Sequence, residues 1–220
     1  MRKRKLISLF LCLALPGTAA YAADSTTCVK LEKPETSHMQ ENTAVVEFFS
    51  FYCPPCYFFS QKLGIDKAIR NSLPTGQKMV KYHAGFLGEL GDELTRAWSV
   101  AIVANLEDKV EPLLFDAVMV SRTLKAPEDI RAVFGKAGLS AEEYDRILSS
   151  REVASMTERQ KRLFKEYGVT GTPTVFVRGR YRIENSAFQA DSVEGFRDAY
   201  VATVKDLLNE PVTVCTPEKK

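Results

Sequence analysis

The sequence predicts an α/β protein in which a sheet-and-helix unit is interrupted by a helical insertion. Three observations carry that expectation. The stretch TAVVEFFSFY, residues 43–52, is apolar and aromatic on both alternating faces, with Val45, Phe49 and Phe51 on one side and Val46 and Phe48 on the other. A strand buried on both sides reads this way, which places it inside a sheet covered by helices. Between His83 and Thr172 almost ninety residues carry helical periodicity with short breaks. The strand pattern then returns in PTVFVRGRYRI, residues 173–183.

Taken in order, the chain opens MRKRKLISLFLCLALPGTAAYAADS, with four basic residues, an apolar run from Leu6 to Leu15, a Pro16/Gly17 break and the small-residue sequence Ala20, Tyr21, Ala22. That order predicts a secretory signal peptide over 1–22, cleaved after Ala22, its apolar run too short for a permanent span. Cys12 leaves with it. The remaining 198 residues hold 26 basic against 28 acidic side chains, a net charge of about −2. No basic stripe remains for nucleic acid. An exported chain meets oxidising conditions, so its four remaining cysteines, Cys28, Cys53, Cys56 and Cys215, are expected to pair.

A first strand-like run is VKLE, residues 29–32, and the doubly apolar strand follows it. Pro54 fits the first turn of a helix running from there to about Asn71. Strands are expected at KMVKYHAG, residues 78–85, and in PTVFVRGRYRI, where Gly179 marks a hairpin turn. Helix starts in the insertion are marked by Pro127 with Glu128 and Asp129, and by Ser140 with Glu143 in capping-box spacing. The last helix lies in SVEGFRDAYVATVKDLLNE, with Val193, Phe196, Tyr200, Val204 and Leu207 on one face.

The chemistry concentrates at FSFYCPPCYFF, residues 49–59. A cysteine at a helix mouth faces unpaired amides and the positive end of the helix dipole, which lowers its pKa below the free-thiol value of about 8.5. Cys53 stands at that mouth; Cys56, one turn in, points inward. The spacing suits a disulfide between an exposed attacking sulfur and a sheltered one, and stabilising the Cys53 thiolate makes that disulfide a stronger oxidant. A structural disulfide and a CxxC metal site are the other readings. A metal would need Cys28 and Cys215 to converge on the pair, since His38 and His83 are the only histidines. His83 reads as a packed strand histidine and Trp98 as core between the insertion and the sheet. Phe51, Tyr52 and Tyr57 are either core or substrate contacts. Thr172 and Pro173 open a strand, where proline is tolerated. A cis bond there would present the Thr172 backbone to an extended substrate; an ordinary trans proline is the alternative.

EFFSFYCPPCY, KMVKYHAGF, LTRAWSVA, LEDKVEPLLF and GVTGTPTVFVRGRY, in that order, resemble segments of the DsbA family of thiol:disulfide interchange proteins. The resemblance runs from KLEKPE near residue 31 to the last helix and is strongest to a paralogue with Pro-Pro between its cysteines. It implies a thioredoxin fold with an inserted α-helical domain: a signal peptide over 1–22, a thioredoxin-like domain formed by 23–85 and 168–220, and an inserted helical domain over 86–167. It also implies a monomeric periplasmic dithiol oxidase that needs no cofactor or metal. Such an oxidase passes its disulfide to newly exported proteins, fimbrial or virulence proteins among them, and is recharged by a quinone-linked membrane oxidase of the DsbB type. An exported reductase or isomerase, or a metal carrier, is the competing function.

Carried over by residue, the resemblance makes Cys53 the nucleophile and Cys56 the resolving thiol, with Thr172 and Pro173 as the substrate-facing loop. Glu47 and Lys81 match a charged pair beneath the site. Glu47 interrupts an apolar strand, and a buried carboxylate is costly unless paired or protonated, which suits it to take the Cys56 proton; a solvated charge at the sheet's end is the alternative. Pro54 and Pro55 fill the motif where strongly oxidising members carry histidine at the second position. Proline has neither charge nor amide hydrogen, so a less acidic Cys53 and a less oxidising disulfide are expected. Family members commonly lack Cys28 and Cys215, so the resemblance gives them no role; a disulfide stapling the two ends is expected of them, with free thiols or an intermolecular bridge as the alternatives.

Overall fold

The computed structural model describes residues 27–34, 41–209 and 215–218 of the 220-residue chain. The expected signal peptide lies outside the described residues. The sheet strands are β1 (Cys28–Lys30), β2 (Thr43–Phe49), β3 (Lys78–His83), β4 (Thr174–Val177), β5 (Tyr181–Ile183) and β6 (Thr216–Pro217), in the order β3-β2-β4-β5-β1-β6. β2 is hydrogen-bonded on both sides, parallel to β3 and antiparallel to β4. Its two faces are both buried, but Phe49 and Phe51, expected beside Val45, pack instead into the core of the inserted helices. Val46 and Phe48 join Phe176, Leu163 and Tyr167 on one side, while Val45 joins Val175, Val177, Ile65, Ile69 and Tyr200 on the other.

The helix that follows is not continuous. α1 (Pro54–Tyr57) passes into a π-helical turn, Phe58–Lys62, and α2 (Ile65–Ser72) starts only after Gly64. Gly64 sits at φ +59°, a left-handed conformation that glycine adopts without a Cβ penalty, and its carbonyl accepts the first α2 hydrogen bond, from Ala68. Here the helical spacing of 54–71 overran a single glycine. α2 and α8 (Val193–Leu208) cover one face of the sheet together.

Between β3 and β4 stand α3 (Gly91–Ala104), α4 (Glu107–Phe115), α5 (Pro127–Lys136), α6 (Ala141–Leu148) and α7 (Arg151–Glu166). The start signals act locally. Ser140 Oγ accepts the Glu143 N–H at 3.2 Å, and Glu143 Oε2 accepts the Ser140 N–H at 3.2 Å. Pro127 opens α5, with the Asp129 carboxylate accepting the amides of Lys125 and Ala126. The core of this insertion, built on Leu94, Trp98, Leu114, Phe115 and Phe134, is continuous with Phe49, Phe51 and Cys56. The insertion thus packs directly against the segment that carries the cysteines, and α7 reaches the sheet through Leu163.

The β4–β5 turn has Arg178 at φ +53° and Gly179 at φ +60°, two left-handed residues whose twist matches a tight hairpin. At the far edge, β1 pairs with β5 and β6, and Cys28 is disulfide-bonded to Cys215. Among the described residues no helix is long and apolar enough to cross a membrane. The architecture is a thioredoxin fold with a helical insertion.

Candidate active site

The chain leaves β2 and turns back on itself, the Cys53 amide donating to the Ser50 carbonyl, and Cys53 caps α1. Pro54 and Pro55 occupy the first helical positions, where missing amide hydrogens cost little. They also take away two donors from the helix mouth. The first amide available there is that of Cys56, which donates to Cys53 Sγ at 3.3 Å. Both cysteines are free, and Cys53 Sγ lies 3.1 Å from the Thr172 carbonyl oxygen, to which it donates only while it is protonated.

These contacts split the two thiols. The Cys56 thiol donates to Cys53 and, with the Thr172 hydroxyl and the Cys56 amide, lowers the Cys53 pKa to about 6 against the opposing effect of burial. Burial and the adjacent Cys53 sulfur push Cys56 far above the ordinary thiol range. Cys53 is therefore the thiolate and Cys56 the protonated partner. Cys53 is only 4 % exposed and Cys56 fully buried, so the attacking sulfur is more recessed than its position at a helix mouth led us to expect. The Thr172 carbonyl lies against it. The Thr172–Pro173 peptide bond is cis. Thr172 Oγ1 is buried with no ordinary hydrogen-bond partner, which leaves its hydrogen for the sulfurs.

Glu47 on β2 stands opposite Lys81 on β3 in the parallel ladder. Both are buried, but they are half of a larger cluster. Lys81 Nζ lies 2.7 Å from Asp66 Oδ2 on α2, 2.6 Å from Glu111 Oε1 on α4, and 3.3 Å from Glu47 Oε2. Asp66 and Glu111 take the close hydrogen bonds, and neither Glu47 oxygen has a hydrogen-bond partner. Burial outweighs the pull of Lys81 and raises the Glu47 carboxyl to about 7, with Asp66 and Glu111 adding repulsion. Burial also works against the charge on Asp66, but Lys81 and Arg70 hold that carboxyl below its usual range. Lys81 stays charged despite burial because three carboxylates surround it. Asp66 and Glu111 carry no local sequence signal for this role.

His83 does more than fill space. Its Nε2 accepts the Phe51 amide at 3.2 Å, so the ring hydrogen is on Nδ1, which lies 2.9 Å from Thr95 Oγ1 on α3. Burial holds its pKa at about 3, keeping the ring neutral for this acceptor role. Its backbone amide donates to Gln160 Oε1 on α7, and Gln160 Nε2 donates to the Thr95 carbonyl and to Ser99 Oγ. A buried polar network thus ties the segment just before Cys53 to two helices of the insertion. The available signal was Thr157 and Gln160, which fall on the same α7 stripe as Val153 and are buried with it. Trp98 donates its indole N–H to the Lys81 carbonyl and meets Phe49 edge-on. Phe51 is core, Tyr52 and Tyr57 are half-buried, and Phe58, directly after α1, is 47 % exposed. Among the described residues no group of three or more His, Cys, Asp or Glu side chains is arranged to hold a metal ion.

Known proteins resemble this chain in sequence and fold. A family described as a DSBA-like thioredoxin domain matches residues 44–201. The thiol:disulfide interchange protein DsbA of Pectobacterium carotovorum subsp. carotovorum is 42% identical over 210 residues, covering 96% of this chain and 100% of that protein. The crystal structure of Salmonella enterica serovar Typhimurium SrgA superposes with a TM-score of 0.78 at 53% identity, covering 83% of this chain and 99% of that one. A Proteus mirabilis DsbA variant, solved in complex with the non-covalently bound peptide PWATCDS, superposes with a TM-score of 0.79 at 36% identity, covering 85% and 98%.

Proposed function

The chain belongs to the DsbA family and is a thiol:disulfide oxidoreductase, and from that premise we propose that it works in the periplasm as a dithiol oxidase for newly exported proteins. The split between a Cys53 thiolate with a pKa of about 6 and a protonated Cys56 is the observation that carries this reading. A stabilised thiolate favours the reduced pair, so the Cys53–Cys56 disulfide gives up its bond readily. A substrate thiolate attacks Cys53 Sγ, the bond between Cys53 and Cys56 breaks, and Cys56 leaves with the electron pair and takes up a proton. Glu47, with its carboxyl raised to about 7, is the buried group we assign to that proton. The second substrate thiolate then attacks the substrate sulfur of the mixed disulfide and expels Cys53 as thiolate. Two electrons have moved from the substrate dithiol to the pair.

In this reading Thr172 and Pro173 receive the substrate strand beside Cys53, Pro54 and Pro55 shape the helix mouth, and Lys81 with its carboxylates braces the site from below. Residues 23–85 and 168–220 act as the thioredoxin-like unit, 86–167 as the inserted helical domain. The Cys28–Cys215 bond staples the sheet edge and takes no part in exchange. The family implies substrate proteins and recharging by a DsbB-type partner; for this chain we propose exported fimbrial or virulence proteins as substrates and action as a monomer. The test is oxidation of a reduced, unfolded secretory protein by the purified disulfide form. The reading expects rapid transfer that Cys53→Ser abolishes and a mixed disulfide that accumulates with Cys56→Ser. Transfer no faster than glutathione disulfide alone would refute it.

A further inference from the structure

The loop beside Cys53 is held from behind by a side chain that no motif marks. Asn185 opens a short 3-10 turn, Asn185–Ala187, directly after β5. Its Nδ2 donates to the Pro173 carbonyl at 2.6 Å, and its Oδ1 accepts the Tyr200 hydroxyl at 3.0 Å. The amide orientation follows from the partners, because a carbonyl only accepts and so the NH2 group must face Pro173. Tyr200, fully buried on α8, sets the other end. Its ring also meets Phe59 edge-on at 5.1 Å, three residues beyond Cys56. One buried tyrosine therefore connects the two halves of the site. Its ring braces the helical segment that carries the cysteines, and its hydroxyl fixes the amide that holds the Pro173 carbonyl. The Thr172 carbonyl, one residue earlier, receives Cys53 Sγ.

We propose that Asn185 is a positioning residue for substrate capture: its amide, oriented by Tyr200, holds the Pro173 carbonyl so that the Thr172 backbone stays set to pair with an extended cysteine-containing peptide over Cys53. This rests on the reading of Thr172 and Pro173 as the substrate-facing loop. The Asn185 side chain bonds the Pro173 carbonyl and the Tyr200 hydroxyl, so it acts on the cysteines only through the loop. Losing the clamp frees one carbonyl and one hydroxyl and lets the loop sample other orientations, and an ordering contact of this kind is worth about a hydrogen bond, or about five- to tenfold in affinity.

The experiment measures binding of the peptide PWATCDS to the full chain carrying Cys53→Ser, by calorimetry, with and without Asn185→Ala. The dissociation constant is expected to rise about five- to tenfold. Asn185→Asp in the same background supplies the discriminating readout. It keeps the acceptor for Tyr200 but puts a carboxylate against the Pro173 carbonyl at neutral pH. The ratio of its dissociation constant to that of the parent should fall towards one as pH drops through the carboxyl range, where the protonated group donates again. Equal affinity of parent and Asn185→Ala, or an Asn185→Asp ratio flat with pH, overturns the proposal while leaving the loop reading intact. A parent that does not bind the peptide overturns the loop reading, and the proposal with it.

Discussion

Replacing Glu47 with glutamine should stabilise the dithiol protein at pH 8 and leave its stability nearly unchanged at pH 4. Glu47 is fully buried, both carboxyl oxygens lack hydrogen bonds, and Lys81 spends its close contacts on Asp66 and Glu111. Its pKa stands at about 7 in the fold against a reference of 4.5. A carboxyl raised in this way adds no penalty while it is protonated in both states. The cost builds as pH climbs above the unfolded value and is complete once pH passes the folded one. A rise from 4.5 to about 7 corresponds to about 3 kcal/mol of stability forgone at pH 8. Glutamine has nearly the same shape and does not ionise, so it recovers that amount. Urea unfolding of reduced parent and Glu47→Gln at both pH values measures the difference. The gain should be about 3 kcal/mol at pH 8 and close to zero at pH 4. A gain independent of pH, or a destabilised variant at pH 8, would refute the assignment of the surplus proton to Glu47.

Three further outcomes follow from the same geometry. Replacing both Cys28 and Cys215 with serine opens a loop with a sequence separation of 187 residues and should cost up to about 5 kcal/mol of stability, with the Cys53–Cys56 potential unchanged; a Cys28 peptide that maps unlinked under nonreducing conditions would contradict the staple. Pro55→His adds a donor or charge at the helix mouth and should move the pair to a more oxidising potential by about 30–60 mV in glutathione buffers, and no movement would remove the argument from proline. His83→Leu strands the buried Phe51 amide, while the Thr95 hydroxyl keeps its bond to the Gly91 carbonyl, and should lower stability by about 1–3 kcal/mol; a loss well below about 1 kcal/mol would mean that the network does not hold the segment before Cys53.

What could be read from sequence was local. β2 announced itself by apolar residues on both faces, the β4–β5 turn by Gly179, and α6 by the reciprocal Ser140 and Glu143 caps, because each depends on residues a few positions apart. The cysteine chemistry was legible for the same reason, since a helix mouth and a two-residue spacing define it. The rest depends on long-range convergence. Asp66 and Glu111 reach Lys81 from 15 and 30 residues away, and Gln160 reaches His83 from 77, so no spacing rule connects them. Each is a polar residue on an otherwise buried surface, but a lone sequence does not show which surfaces meet. The helix break at Gly64 was missed because helical periodicity resumes in register on its far side and tolerates one glycine. Asn185 was invisible on both counts, a lone polar residue in a short turn whose partners lie 12 and 15 residues off.

The central claim is that the Cys53–Cys56 disulfide is an oxidant because Cys53 is stabilised as a thiolate. The most direct test equilibrates the purified protein, lacking residues 1–22, across glutathione buffers and reads the state of the pair by alkylation and mass. A potential well above thioredoxin's, which is about −270 mV, is the predicted result and fits a protein that donates disulfides. A potential near that of thioredoxin would contradict it and mark the chain as a reductase or isomerase.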